Sequence, residues 1–304
     1  MSREVTTVID QELCTGCGLC IEVCPSKTIS LQEGKAVVSG SRSIACGHCA
    51  AICPTGAVRV EALDQWAADF QRFKTAEQWL APGAFEPGPL VQLMRSRRSC
   101  RNYQARTVER ELLEDLVRIG ITAPSGTNSQ KWTFTVLAER EEVAAFGSRI
   151  AAFFSRLNRL AANPLARLYS KLFGGDALGN YYREYSRTTE AALRAWEQEG
   201  KDLLFHGAPA AILVGSQPGA SCPAEDALLA TQNILLGAHA LGLGTCLIGF
   251  AVEAMRRDAG IKTALGLPAK EPVYAVIALG YPDERYRRVT GRKKPLVRFP
   301  GSGG

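Results

Sequence analysis

The chain has 304 residues, 46% apolar and 22% charged, with a formal net charge of +6. It is too long for a lone electron-carrier module and long enough for a small domain joined to one of ordinary enzyme size. No apolar run reaches the roughly 18–20 residues of a membrane span, residues 1–10 lack a signal-peptide core, and the basic excess at 95–106 and 285–298 has no aromatic-rich or helix-turn-helix element beside it. The expectation is a cytoplasmic protein with no membrane and no nucleic-acid partner.

Two cysteine runs open the chain. Cys14, Cys17, Cys20 and Cys24, the last followed by Pro25, follow the spacing C-x2-C-x2-C-x3-C-P, a pattern that holds iron–sulfur clusters. Cys46, Cys49 and Cys53, with Pro54, repeat it from the second cysteine onward, and Ser43 stands where the first would be. Cysteines at these spacings in a chain without an export signal argue against a disulfide framework. A domain of sixty residues buries too little apolar surface to fold comfortably alone, so clusters would also serve as its core. Gly16, Gly18 and Gly47 let the backbone wind close around sulfide.

Residues 1–60 resemble the two-cluster bacterial ferredoxins. In that family the fourth cysteine of each run ligates the other run's cluster. The resemblance therefore implies one complete cluster on Cys14, Cys17, Cys20 and Cys53. A second would rest on Cys24, Cys46 and Cys49, with Ser43 at its fourth position. Three outcomes stay open there: a 4Fe–4S cluster with a serine or solvent ligand, a 3Fe–4S cluster, or completion by a distant group. Cys100, Cys222, Cys246 and His48 are the candidates for that group. A hard serine oxygen would be expected to lower the potential relative to a thiolate.

Residues 61–92 read as a helical linker. Leu63, Trp66, Phe70, Phe73 and Leu80 recur at helix-like spacings over 62–80. The prolines and glycines of 81–89 then predict irregular backbone and a boundary. The aromatics are expected to pack the two domains together.

The rest, 93–304, carries five motifs in order. Arg97, Arg98, Ser99 and Arg101 place planar charged forks beside a hydroxyl, a set suited to a phosphate. A helix over 108–120 is followed by the polar loop 123–132, with Pro124, Ser125, Asn128 and Gln130, and then a strand at 133–137. A turn at His206 leads into an apolar strand. An apolar helix begins at 225 and runs into a glycine-rich strand entry ending at Ile248 and Gly249. A last strand, 273–280, precedes the basic segment Arg292–Lys294. No Ser/His/Asp triad, P-loop or G-x-G-x-x-G is present, so acyl and phosphoryl transfer have no support.

This order of motifs resembles the FMN-dependent nitroreductase family. The resemblance implies an α+β fold with a central, mostly antiparallel sheet flanked by helices, FMN as cofactor, and flavin sites built at a homodimer interface. By position, Arg97, Ser99 and Arg101, with Arg98 adjacent, would bind the FMN phosphate and ribityl chain. Asn128 and Gln130 would bond the ring or its tail, and Ile248 and Gly249 would present backbone to it. Arg292 and Lys293 would close the phosphate site, while Pro124 and Ser125 would reach the other subunit's flavin. The insert 149–201 is read as a lid over the flavin or as dimer packing, with Tyr181, Tyr182 and Arg183 as pocket candidates. His206, His239 and Cys246 read as structural.

Together these features imply an iron–sulfur flavoprotein oxidoreductase. Electrons from an external ferredoxin or other low-potential donor would cross the clusters to FMN, which reduces an electron-poor small molecule such as a nitroaromatic or a quinone. A redox sensor or electron-transfer partner protein, and a reductase of halogenated or enone substrates, are the alternatives.

Overall fold

The computed structural model describes residues 4–300; the first three residues of the 1–60 domain and the last four of 93–304 lie outside the described residues. In the small domain, β1 (Thr7–Ile9) pairs antiparallel with β4 (Val58–Val60), and β2 (Ile29–Gln32) pairs with β3 (Lys35–Val38). Two one-turn helices, α1 (Leu19–Glu22) and α2 (His48–Ala51), carry Cys20 and Cys49. Each is entered through a left-handed glycine, Gly18 at φ 78° and Gly47 at φ 77°, where a side chain would be strained. The two runs are thus a structural repeat. Cys14, Cys20 and Cys49 belong to the buried core with Ile29, Ala36, Ala45, Ala57, Val58 and Val60.

The predicted helix over 62–80 is not formed. Among the described residues of that stretch only a 3-10 turn appears, Gln65–Ala68, capped by Asp64. The aromatic spacing serves other contacts: Phe70 and Phe73 stack at 4.5 Å, and Trp66 lies under the Arg118 guanidinium. The predicted break at 81–89 also shifts. Helix α3 (Pro87–Ser96) starts inside it with Pro87 in its first turn, where a missing N–H costs nothing.

The larger domain is a four-stranded sheet of order β5-β6-β8-β7, antiparallel throughout: β5 (Trp132–Leu137), β6 (Ala210–Ser216), β7 (Gly244–Leu247) and β8 (Val273–Gly280). On one face lie α4 (Arg110–Gly120) and α9 (Pro223–Ala240); on the other lie α5 (Arg140–Ala162), α10 (Gly249–Arg257) and α11 (Ala259–Ala264). Strand alternation does the sorting. In β6, Ala211 and Leu213 enter the α5/α10 core while Ala210, Ile212 and Val214 enter the α4/α9 core, as a period of two requires. A strand covered on both faces reads as an unbroken apolar run. Three more helices, α6 (Pro164–Phe173), α7 (Ala177–Glu184) and α8 (Ser186–Glu199), complete the insert. The chain breaks at Gly174, and with the C-terminal part of α5 the insert comprises four helices.

The linker is fastened to α4. Asp115, fully buried, pairs with Arg118 at 3.0 Å and accepts backbone N–H groups from Gln71 and Arg72 at 2.8–3.1 Å. The Arg118 Nε also donates to the Trp66 carbonyl at 3.2 Å. Both members of this buried pair are therefore spent on the junction, which fixes the small domain's tether.

Candidate functional site

The thiols of the small domain sort into two cavities. Cys14, Cys17, Cys20 and Cys53 line one, with Thr55 and Ala57 on its wall. Cys24, Cys46 and Cys49 line the other, together with Ser43, Thr28 and His48. Each cavity thus takes its last cysteine from the opposite run. Among the described residues, no three His, Cys, Asp or Glu groups converge closely enough for a single metal ion. The sulfurs ring a space instead, an arrangement that suits a multi-atom cluster better than a tetrahedral zinc.

Local hydrogen bonds tune these thiols. Burial pushes Cys24 and Cys53 up, but it is outweighed by the Thr28 and Thr55 hydroxyls, which lie at 3.3 Å and 3.7 Å, and by nearby backbone N–H groups. Both settle below the ordinary thiol value, toward the thiolate a metal needs. Cys20 and Cys49 are raised by burial and by neighbouring cysteines, the like-charge crowding that bound iron would relieve. In the second cavity the Ser43 Oγ accepts the Ala45 N–H at 3.0 Å, so its oxygen lies on the wall where the absent cysteine would stand. Cys100, Cys222 and Cys246 do not line this cavity.

The second cavity adjoins the larger domain. Asn128 donates through Nδ2 to the carbonyls of Ile44 and Ala45, both at 2.9 Å, and these two residues line the cavity. Its loop is stiff. Thr127, Asn128 and Gln130 all sit at positive φ near 50°, and Gly126 and Ser129 are pinned by Asp226 at 2.8 and 3.0 Å. Gln130 donates to the Asn128 Oδ1 at 2.8 Å, and its N–H reaches the Ser125 Oγ at 3.0 Å. Asp226 is in the first turn of α9.

The predicted phosphate set lies elsewhere. Ser99 bridges to Thr245 of β7, and Arg98 donates to Thr290 at 2.9 Å, drawing the C-terminal arm across the loop. Burial holds the Arg97 guanidinium below its ordinary value, helped by the charges of Arg292 and Arg98. Among the described residues none of Arg97, Arg98, Arg101, Arg292 and Lys293 is in an ion pair. Three crowded guanidiniums without a carboxylate fit a dianionic phosphate.

Beside them opens a cavity of about 1230 Å³. Arg101, Cys246, Ile248 and Gly249 line one wall, and the insert supplies the other, with Leu157, Tyr169, Phe173 and Tyr181. Phe154 packs edge-on to Phe250 at 5.4 Å. Of the three insert candidates only Tyr181 reaches this cavity. Tyr182 instead stacks under Arg167, and Arg183 pairs with Asp176. The Tyr181 hydroxyl donates to the Asn158 Oδ1 at 2.6 Å, and burial raises its pKa, so it stays a neutral phenol.

Cys246 and His206, read from sequence as structural, both line the cavity. Burial raises the Cys246 thiol against the opposing pull of Arg101, Ser99 and Arg97, so those three groups surround it. Alternation along β7 carries no signal for this, since Leu247, on the opposite face, lines the same cavity.

Within one chain the two predicted halves of the flavin site are not brought together. Pro124, Ser125, Asn128 and Gln130 do not line the large cavity. Their loop is tied to the start of α9, while Arg97 acts on His239 in its last turn. From Asp226 to His239 the helix rises by about 20 Å.

A cavity lined by Arg101 and Arg257 in the larger domain, and paired thiol cavities in the small one, define a redox enzyme with its own electron carrier. Residues 94–281 match the nitroreductase family and residues 6–54 match a 4Fe-4S dicluster domain. The chain belongs to the nitroreductase family of FMN-dependent oxidoreductases. It is similar to the 4-nitrobenzoate reductase of Nocardioides sp. (26% identical over 210 residues; 64% of this chain, 81% of that protein). A shorter likeness, 31% over 90 residues, covering 23% of this chain and 40% of the relative, links it to an iodotyrosine deiodinase of Haliscomenobacter hydrossis. The crystal structure of a nitroreductase with bound FMN from Bacteroides fragilis shares the fold, with a TM-score of 0.52 at 20% identity over 69% of this chain and 98% of that one. Among the described residues no helix is long and apolar enough to cross a membrane.

Proposed function

We propose that the chain acts as a homodimer that takes single electrons from a low-potential donor, a reduced ferredoxin, through two clusters to FMN and on to an electron-poor small molecule. The observation that carries this reading is the seam between Asn128 and the carbonyls of Ile44 and Ala45. It joins the second thiol cavity to the larger domain through a stiff loop. A module that merely shared the chain would need no such fixed contact.

FMN, when bound, turns one-electron input into two-electron reduction. The residues supply the rest. Arg97, Arg98 and Arg292 would neutralise its phosphate, and Ser99 would bond it. Arg101, with the backbone at Ile248 and Gly249 that opens α10, would face the ring and stabilise negative charge there. The aromatic wall of the insert would exclude water and stack on a flat substrate. Cys14, Cys17, Cys20 and Cys53 would hold the entry cluster, where Cys17 is exposed. Cys24, Cys46, Cys49 and Ser43 would hold the exit cluster, read here as 4Fe–4S with Ser43 or solvent at its odd iron. These chemistries require a reducing compartment, the cytoplasm.

The separation of the two flavin-binding loops supports the dimer, since a second chain would bring the missing half. An electron-poor aromatic acceptor, a nitroaromatic or quinone, suits the aromatic-walled cavity and the likeness to a 4-nitrobenzoate reductase. The likeness to a deiodinase favours one second reading, reductive dehalogenation on the same site.

Anaerobic purification with iron, sulfide and flavin counts, then reoxidation of the reduced protein with nitroaromatics, quinones and iodophenols, tests the reading. Cys14→Ala or Cys53→Ala should abolish ferredoxin-driven reduction and spare the chemistry of dithionite-reduced flavin. Fast NADPH turnover in a variant lacking both clusters would overturn the route. A strong 3Fe–4S resonance in anaerobic, oxidised protein would overturn the assignment at Ser43.

A further inference from the structure

We propose that the second cluster delivers its electrons across the subunit interface, to FMN bound on the other copy of the chain. The inference rests on the flavin and dimer reading above and extends it to the path. Among the described residues, the side chain that bonds the second cavity's wall to the larger domain is Asn128. Asp226 pins the loop of Asn128 at the first turn of α9. The chain's own phosphate-type pocket lies past the other end of that helix, where Ser99 bridges to Thr245 and Arg97 acts on His239.

An electron leaving the second cluster for its own chain's arginine pocket would have to cross most of α9, about 20 Å from Asp226 to His239. Tunnelling falls off steeply with distance, so that path is slow. The loop at 125–130 presents Ser125 and Gln130, a hydroxyl and an amide, with Gln130 exposed. The face of α3 and α9 between the two ends also leaves Leu90, Val91, Met94, Leu228 and Leu229 exposed. A second copy covering that face would set its own arginine pocket against this chain's loop. Asn128 then has a positioning role: it holds the second cluster at the loop that meets the partner's flavin. Each transfer would move one electron, oxidising the cluster and reducing the flavin, with solvent protons adding at the flavin nitrogens. Two transfers, each refilled by reduced ferredoxin, with protons from solvent, complete the flavin's reduction.

Mixed dimers of full-length chains, purified on two tags, test this. One chain carries Arg97→Ala and Arg292→Ala and binds no flavin; the other carries Cys46→Ala and Cys49→Ala and lacks the second cluster. The readout is anaerobic bleaching of flavin absorbance after mixing with reduced ferredoxin. Transfer between chains predicts that the mixed dimer bleaches its one flavin at the wild-type rate per flavin, while the cluster-deficient homodimer is slower by on the order of tenfold or more. A mixed dimer as slow as that homodimer overturns the proposal. Should the double-cysteine chain fail to fold, Ser43→Cys replaces it, since it changes the ligand and keeps the cluster. Placed in the flavin-less chain, Ser43→Cys should alter the bleaching rate; placed in the flavin-binding chain, it should not. The opposite pattern overturns the proposal. If the wild-type protein holds no flavin, the underlying functional reading fails; flavin present but reduced within its own chain sinks only this inference.

Discussion

Arg97 stands among guanidiniums that no carboxylate answers, and that crowding costs the empty protein electrostatic energy which a phosphate recovers. Arg97→Ala is expected to weaken FMN binding by about 1.4–2.8 kcal/mol, tenfold to a hundredfold in Kd. Thermal stability of the flavin-free protein should hold or rise, because repulsion is removed. Flavin fluorescence titration and melting of the apoprotein check both halves. Glu109 shows the opposite balance. The Tyr281 hydroxyl donates to it at 2.6 Å, and with Arg106 beside it the carboxyl is held at about 2 against an ordinary 4.5. A depressed folded-state value adds stability above the unfolded value and loses it as pH falls through the folded one. Wild-type protein should therefore lose stability between about pH 4.5 and 2, and Glu109→Gln should flatten that part of an acid-unfolding profile. The side chain is about a third exposed, so solvent keeps the effect small.

At the scale of elements, α4 carries the tether. Asp115 accepts the N–H groups of Gln71 and Arg72 while paired with Arg118, and removing it leaves the buried guanidinium only the longer contact to Glu114 at 3.7 Å. Asp115→Ala is expected to cost roughly 3–5 kcal/mol and to loosen 65–75, seen as faster proteolysis there and slower cluster-to-flavin transfer. The linker also shows where periodicity misleads. Trp66, Phe70 and Phe73 have helix-like spacing, yet each is placed by a partner: the Arg118 guanidinium for Trp66, the other ring for the two phenylalanines. Conversely, Pro87 reads as a helix breaker and starts α3, because the first turn needs no N–H. In the insert, which aromatic reaches the cavity is not legible from sequence, because Tyr181 and Tyr182 are adjacent and only packing decides which one turns inward.

For the molecule as a whole, the exposed leucines of α9 and the apolar residues of α3 form a face that water would not keep bare. For the proposed dimer, Leu228→Glu with Leu229→Glu should give monomer in sedimentation and release FMN, with the small domain's iron content unchanged. Loss of iron together with flavin would argue against separate sites. The arm at 290–299 leaves Leu296, Val297 and Phe299 exposed beyond the Arg98–Thr290 contact. Deleting residues after Pro295 should weaken the dimer less than the α9 changes do.

What the sequence determined by itself were the features fixed by covalent spacing and strand alternation: the paired cysteine runs, the gap at Ser43, the buried strands and the arginine cluster beside a hydroxyl. These depend on residues a few positions apart, whose geometry the backbone imposes. Only the tertiary structure decided which cavity abuts the larger domain, that Asn128 bonds the wall of the second one, and that the loops at 97–101 and 124–130 lie toward opposite ends of α9. Those facts join residues more than eighty positions distant, and no local period records them. The two cysteine runs are near-repeats in sequence; among the described residues it is the wall of the second cavity, at Ile44 and Ala45, that Asn128 of the larger domain bonds.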